Sequence, residues 1–147
     1  ICNELNKANE PMPACQLLIY PATRTANFAT QSRQALASGV TLDKRLIDFF
    51  NDMYFGGVDL DLKDPRLCPA LAQKLSGAPT AHIITAEYDP LRDEGEEYSQ
   101  LLSAAGVQAT YRCYDGLMHN FILQTAVVAL ANQAVGDCAG FLKQQLA

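Results

Sequence analysis

Two side chains in this sequence, Asp89 and His119, could together carry acid–base chemistry. Asp89 follows an apolar run and precedes Pro90, and His119 lies in a second polar connection about thirty residues later. An aspartate that accepts a hydrogen bond from one imidazole nitrogen fixes the tautomer and stabilises the imidazolium. The other nitrogen is then free to take a proton from a hydroxyl, so the pair is a candidate for the acid and the base of a catalytic triad.

Three apolar runs are predicted to form the strands that position these two side chains. The runs 15–21, 82–88 and 109–114 read as strands, and the segments between them contain helical patterns. Strands that alternate with helices predict an α/β fold with parallel pairing and right-handed crossovers. In such sheets the functional groups lie just past the carboxyl ends of the strands, and neighbouring strands are about 4.8 Å apart. We therefore expect Asp89 and His119 to be in contact.

Capping signals predict the helices that follow the strands. Asp93 with Glu96 forms a D-x-x-E capping box, which favours a structural role for Asp93, and Gly106 ends that helix. The Asp115–Gly116 pair predicts a turn after the third strand. Residues 1–10 are predicted to be the tail of a helix, and further helices are predicted around 70–75 and over 125–146.

The long segment 22–75 between the first two strands is predicted to be a cap excursion of a single domain, 1–147. Residues 22–41 show no clear period and read as a loop or lid. Thr41 is the predicted N-cap of an amphipathic helix that Gly56 and Gly57 end. Candidate substrate-binding residues are the apolar side chains on this helix and beside the histidine: Phe49, Phe50, Met53, Met118 and Phe121.

Several motifs resemble those of a known family. They are D-P-L-R-D-E-G-E-E-Y at 89–98, Y-D-G-L-M-H-N-F at 114–121 and L-L-I-Y-P-A-T at 17–23. Together they resemble the C-terminal half of the hormone-sensitive-lipase-like esterases, which have the α/β-hydrolase fold. The resemblance implies a partial α/β-hydrolase fold, with Asp89 as the triad acid, His119 as the base and a small-molecule ester as substrate. Asn120 stands where the family usually has glycine, but asparagine tolerates a left-handed backbone.

The nucleophile that this resemblance implies is missing from the chain. Neither an H-G-G loop nor a G-x-S-x-G elbow occurs. The stretch 136–140 matches the elbow with Cys138 in place of serine, but it continues the period of the last helix, so Cys138 is predicted to be a core residue. The serine is therefore expected on an absent N-terminal half, and the chain alone is expected to lack substantial esterase activity.

Composition excludes other classes of function. The net charge of −5, without a cluster of Lys and Arg, argues against nucleic acid as a partner. Five scattered cysteines and two histidines predict reduced thiols in a cytoplasmic protein, with no metal site and no cofactor. No apolar run reaches the roughly 20 residues of a membrane span.

Two alternatives remain open at the level of sequence. The chain could be a non-catalytic binding or assembly module on the same scaffold, and relatives often form homodimers through the last strand, here 109–114. A flavodoxin-like ligand binder would need a glycine-rich phosphate loop, which the sequence lacks. The distance between Asp89 and His119 discriminates between the esterase and the non-catalytic module.

Overall fold

A computed structural model describes residues 1–24, 29–56, 61 and 63–147. In chain order its helices and strands are α1 (Cys2–Ala8), β1 (Gln16–Ile19), α2 (Gln31–Ala35), α3 (Lys44–Phe55), β2 (Ala81–Tyr88), α4 (Arg92–Ala104), β3 (Ala109–Met118) and α5 (Ala129–Leu146). Short 3-10 helices lie at Pro69–Leu71 and Phe121–Gln124. None of the helices in these ranges has the length and hydropathy that a membrane span requires.

The described strands form one parallel sheet in the order β1-β2-β3. In register, Leu18 lies opposite Ile83 and Ala86 opposite Tyr114. The helix α4 connects β2 to β3, which gives the crossover that parallel pairing requires. The predicted α/β class, with three parallel strands and flanking helices, is confirmed.

The sheet is buried on both faces, so consecutive residues of the central strand enter different cores. Ile83 packs in a cluster with Tyr98 and Leu102 of α4. Ile84 packs in a second cluster that includes Cys138 of α5. Both isoleucines are fully buried, which explains why β2 is continuously apolar rather than alternating. Cys138 is a buried helix residue in this core, as predicted.

Two helix starts predicted from capping signals are wrong. Asp43, rather than Thr41, is the N-cap of α3, and its carboxylate accepts a hydrogen bond from the Leu46 N–H at 2.7 Å. The N-cap of α4 is Leu91, without a side-chain cap bond, so Asp93 lies inside the first turn and forms no capping box. The tight loop after β2 starts α4 two residues earlier than the capping signal predicts.

Other boundaries also differ from the sequence prediction. The stretch 22–41 contains α2, whose N-cap Thr30 accepts from the Arg33 N–H. The helix predicted around 70–75 is the single 3-10 turn at Pro69–Leu71. The helix predicted from residue 125 begins at Ala129, after a second 3-10 turn. Gly56 caps α3 as predicted, whereas Gly57 lies outside the described residues.

The strand β3 continues through the turn predicted at Asp115 and Gly116. An irregularity in its register to β2 falls between Ala86 and Tyr88, and Gly116 has a φ of 73° there. At this irregularity the Glu87 carboxylate accepts a hydrogen bond from the Gly116 N–H at 2.7 Å. The strand therefore reaches Met118, directly before the histidine.

Candidate active site

Asp89 and His119 meet at the carboxyl edge of the sheet. Asp89 Oδ2 lies 2.8 Å from His119 Nδ1. Asp89 immediately follows β2, and His119 immediately follows β3. The register of the two parallel strands brings their ends together, which is the juxtaposition expected from the sequence.

The carboxylate of Asp89 is held rigidly because its second oxygen is also bonded. Asp89 Oδ1 accepts from the Leu91 N–H at 2.8 Å, and the Asp89 carbonyl accepts from the Arg92 N–H at 3.0 Å. The residue is fully buried. A buried carboxylate with both oxygens occupied has little freedom to rotate, so its direction toward the imidazole is fixed.

The imidazole of His119 is positioned by the backbone on either side of it. Asn120 adopts the left-handed conformation, with φ 67° and ψ 13°, and begins the 3-10 turn at Phe121–Gln124. This is the conformation that a glycine would adopt most easily, and asparagine accepts it, as expected. Within the described residues, Nε2 of His119 has no hydrogen-bond partner, and the side chain is 14% exposed. With Nδ1–H donating to Asp89, Nε2 is available as a base.

Tyr20 is part of this site and was not singled out from the sequence. Its ring centroid lies 4.6 Å from that of His119, with 55° between the planes. Burial, followed by the negative charge of Asp89, raises the pKa of the Tyr20 phenol. One signal could have identified it: Tyr20 directly follows β1, at the same sheet edge as the other two residues.

Behind Asp89, a buried polar network joins the segment before α3 to the first turn of α4. Arg33 donates from Nε and Nη2 to the Glu94 carboxylate, with a closest distance of 2.9 Å, and Thr23 N–H donates to the same group at 3.2 Å. Burial raises the pKa of Glu94 to about 7, although Arg33 and the Thr23 N–H act to lower it. Glu94 is fully buried within this network.

Ser32 connects the same network directly to the residue after the acid. Its hydroxyl donates to the Pro90 carbonyl at 2.8 Å, and its N–H donates to Asp93 Oδ2 at 2.6 Å. Asp93 therefore has a structural role, but it anchors α2 instead of capping α4. These bonds join Thr23, Ser32 and Arg33 to the acid loop and the first turn of α4.

The predicted substrate-binding residues lie in two different environments. Phe49, Phe50 and Met53 are 55%, 55% and 70% exposed, on a helix without a buried residue. Met118 is 40% exposed beside the histidine, whereas Phe121 is 3% exposed and packs edge-on against Tyr20. Contact of these five residues with an acyl group remains a prediction.

The described residues contain no group of three or more His, Cys, Asp and Glu side chains with metal-ligand geometry. The second histidine, His82, lies on β2, with Nδ1 2.8 Å from the Thr110 hydroxyl. Burial lowers the pKa of His82, and the nearby Asp137 partly offsets that effect. His82 thus packs against Phe141 of α5, with ring centroids 5.3 Å apart, and does not belong to the Asp89–His119 pair.

Comparison with known proteins places this geometry in a family. Residues 1–123 match the alpha/beta hydrolase fold family. LipN, a carboxylic ester hydrolase of Mycobacterium tuberculosis, is 44% identical over 114 residues, which are 76% of this chain and 30% of LipN. An ethyl acetate hydrolase of Pseudomonas putida is 31% identical over 147 residues, which are 99% of this chain and 46% of that enzyme.

Solved structures agree with the sequence matches. The structure of a thermophilic carboxylesterase cloned from a metagenomic library superposes with a TM-score of 0.91 at 30% identity, and covers 98% of this chain and 49% of its own. The chain spans less than half the length of each of these three relatives. The chain belongs to the α/β-hydrolase fold family, and the resemblance to its esterases that the motifs indicated is confirmed.

Proposed function

We propose that this chain supplies the acid and the base of a serine carboxylesterase acting on short- to medium-chain acyl esters. The observation that carries the proposal is the 2.8 Å contact between the fully buried Asp89 and Nδ1 of His119. The names of the relatives support it, because they include a carboxylic ester hydrolase and an ethyl acetate hydrolase.

In the proposed reaction His119 acts through its free nitrogen. Nε2 takes the proton from a serine hydroxyl as the oxygen attacks the ester carbonyl, and later returns it to the leaving alcohol. Asp89 keeps the proton on Nδ1 and stabilises the imidazolium that forms. A water molecule then hydrolyses the acyl-enzyme by the same proton transfers.

The serine and the oxyanion donors are proposed to lie outside residues 1–147. The sequence contains no G-x-S-x-G elbow, and Cys138, the residue that mimics one, is in the middle of α5 within the core. The nucleophile of this fold needs a sharp turn between a strand and a helix. The absent part would extend the sheet at β1, whose second edge is unpaired among the described strands.

Hydrolysis of p-nitrophenyl butyrate by two proteins, the chain alone and a chimera, tests the proposal. The chain alone is expected to show no saturable turnover. A chimera that adds the N-terminal region of the Pseudomonas putida relative is expected to be active. In that chimera, His119→Ala should lower kcat by about 10⁴-fold or more, and the matched control His82→Ala should leave it within about twofold.

Two outcomes would contradict parts of the proposal. Turnover by the chain alone that His119→Ala abolishes would place a nucleophile within residues 1–147. A folded chimera without turnover would favour the non-catalytic binding module instead.

Three further predictions belong to the same proposal. The segment 22–75 acts as a cap whose exposed helix α3 shapes the acyl pocket. The edge of β3 that has no partner among the described strands supports the predicted homodimer through 109–114. The odd number of scattered cysteines, without a C-x-x-C arrangement in the sequence, supports a cytoplasmic location, because reduced thiols are typical of that compartment.

A further inference from the structure

The imidazole of His119 has an aromatic neighbour whose presence the acid–base pair does not explain. The Tyr20 ring lies 4.6 Å from the imidazole centroid. The Tyr20 ring also contacts Phe121, with ring centroids 5.7 Å apart in a T-shaped arrangement. Phe121 in turn packs against Tyr114, with ring centroids 5.4 Å apart. The Tyr20 ring is therefore held between the sheet core and the imidazole.

The backbone of Tyr20 is in a conformation that tyrosine disfavours. Its φ is 36°, in the left-handed region, and the residue precedes Pro21, a position that normally requires extended backbone. Its N–H still donates to the Ile84 carbonyl at 2.7 Å, which extends the β1–β2 pairing by one residue. Glycine would accept this φ without strain, so the backbone alone does not account for a tyrosine here.

The charges around the imidazole define what the tyrosine ring can contribute. Among the described residues, Asp89 and Tyr20 are the titratable side chains in contact with His119. The phenol is kept neutral because burial and the Asp89 charge raise its pKa. The face of a neutral aromatic ring attracts a cation within about 6 Å of its centroid, and this attraction would act only after the imidazole takes a proton.

We propose that Tyr20 is a positioning residue for His119, whose ring fixes the plane of the imidazole and stabilises the imidazolium. Asp89 determines which nitrogen carries the proton, and Tyr20 limits rotation of the ring about that hydrogen bond. The strained backbone at the end of β1 is what brings the tyrosine ring against the imidazole. The effect of Tyr20 on turnover rests on the proposed esterase function, whereas the contact between the two rings is independent of that function.

NMR spectroscopy of the full chain, labelled in its two histidines, tests the contact without any turnover. His119 signals are assigned from their loss in His119→Gln, and the His82 signals are the internal control. A ring current from Tyr20 should shift the His119 ring protons in the parent and in Tyr20→Phe, and the shift should vanish in Tyr20→Leu. Equal His119 shifts in the parent and in Tyr20→Leu would overturn the proposal.

Kinetics of the active chimera test the stabilisation of the imidazolium. Tyr20→Leu is expected to lower kcat about two- to tenfold, to leave KM unchanged and to move the acid limb of the kcat/KM profile to lower pH. Tyr20→Phe, which keeps the ring, should recover kcat and the acid limb. An equal loss in both variants would assign the effect to the hydroxyl and overturn the role of the ring. An acid limb that does not move in Tyr20→Leu would also overturn the role of the ring. If the chimera has no activity, the proposed function fails and the NMR comparison still decides the contact.

Discussion

The buried ion pair between Arg33 and Glu94 makes a specific prediction about stability. The two side chains are 10% and 0% exposed, and their closest atoms are 2.9 Å apart. Replacing Arg33 with methionine keeps much of the volume and leaves the Glu94 carboxylate buried without its cation. Breaking a buried pair in this way typically costs about 3–5 kcal/mol, which is a large fraction of the stability of a small domain.

The cost should depend on pH, because Glu94 can take a proton instead of remaining a buried anion. Its pKa is raised from 4.5 to about 7, so the folded state binds more protons than the unfolded state between those values. The free energy of unfolding of the parent should therefore fall as pH rises from about 4.5 to about 7, by an amount on the order of 3 kcal/mol. For Arg33→Met we expect a larger cost at pH 8 than at pH 5, by up to about 1.4 kcal/mol, because the Glu94 carboxyl of the parent is ionised only above its pKa of about 7.

Equilibrium urea unfolding, followed by far-UV circular dichroism at pH 5 and pH 8, measures these free energies. Arg45→Met is the matched control, since Arg45 pairs with Asp43 but is 94% exposed, and exposed pairs contribute little. The double variant Arg33→Met/Glu94→Gln should lose less than the single variant at pH 8. A loss that is equal at both pH values, or no larger than that of Arg45→Met, would refute the reasoning.

Two further predictions concern glycine and a residue that adopts a glycine-like backbone. Gly95→Ala should destabilise the fold by about 1–3 kcal/mol in the same urea assay, because a Cβ there would lie 2.7 Å from Thr85 Cγ2 at the contact of α4 with β2. Gly136→Ala on α5, where a Cβ meets nothing within 4 Å, is its control and should be neutral or stabilising. Asn120→Gly should preserve the activity of the chimera and Asn120→Val should lower it, because Asn120 has a φ of 67° next to His119. Equal kcat in the two Asn120 variants would contradict this role of the backbone.

The sequence by itself determined the α/β class and the pairing of Asp89 with His119. Continuous apolar runs such as 82–88 indicate strands buried on both faces, and the alternation with helices requires parallel pairing. Residues at the carboxyl ends of neighbouring parallel strands must then lie close together. The prediction needed only local patterns and this one topological rule, which is why it agrees with the structure.

Only the tertiary structure decided what surrounds the pair. Tyr20, Arg33 and Glu94 come from three separate parts of the chain, and no local spacing relates Tyr20 to His119 or Arg33 to Glu94. The capping box at Asp93 failed for the same reason: a local signal for a helix start was overridden when Ser32, 61 residues away, took the carboxylate as its partner. Hydrogen bonds and ring contacts between distant segments depend on the folded path of the chain, because side chains compete for partners that the linear sequence does not place beside them.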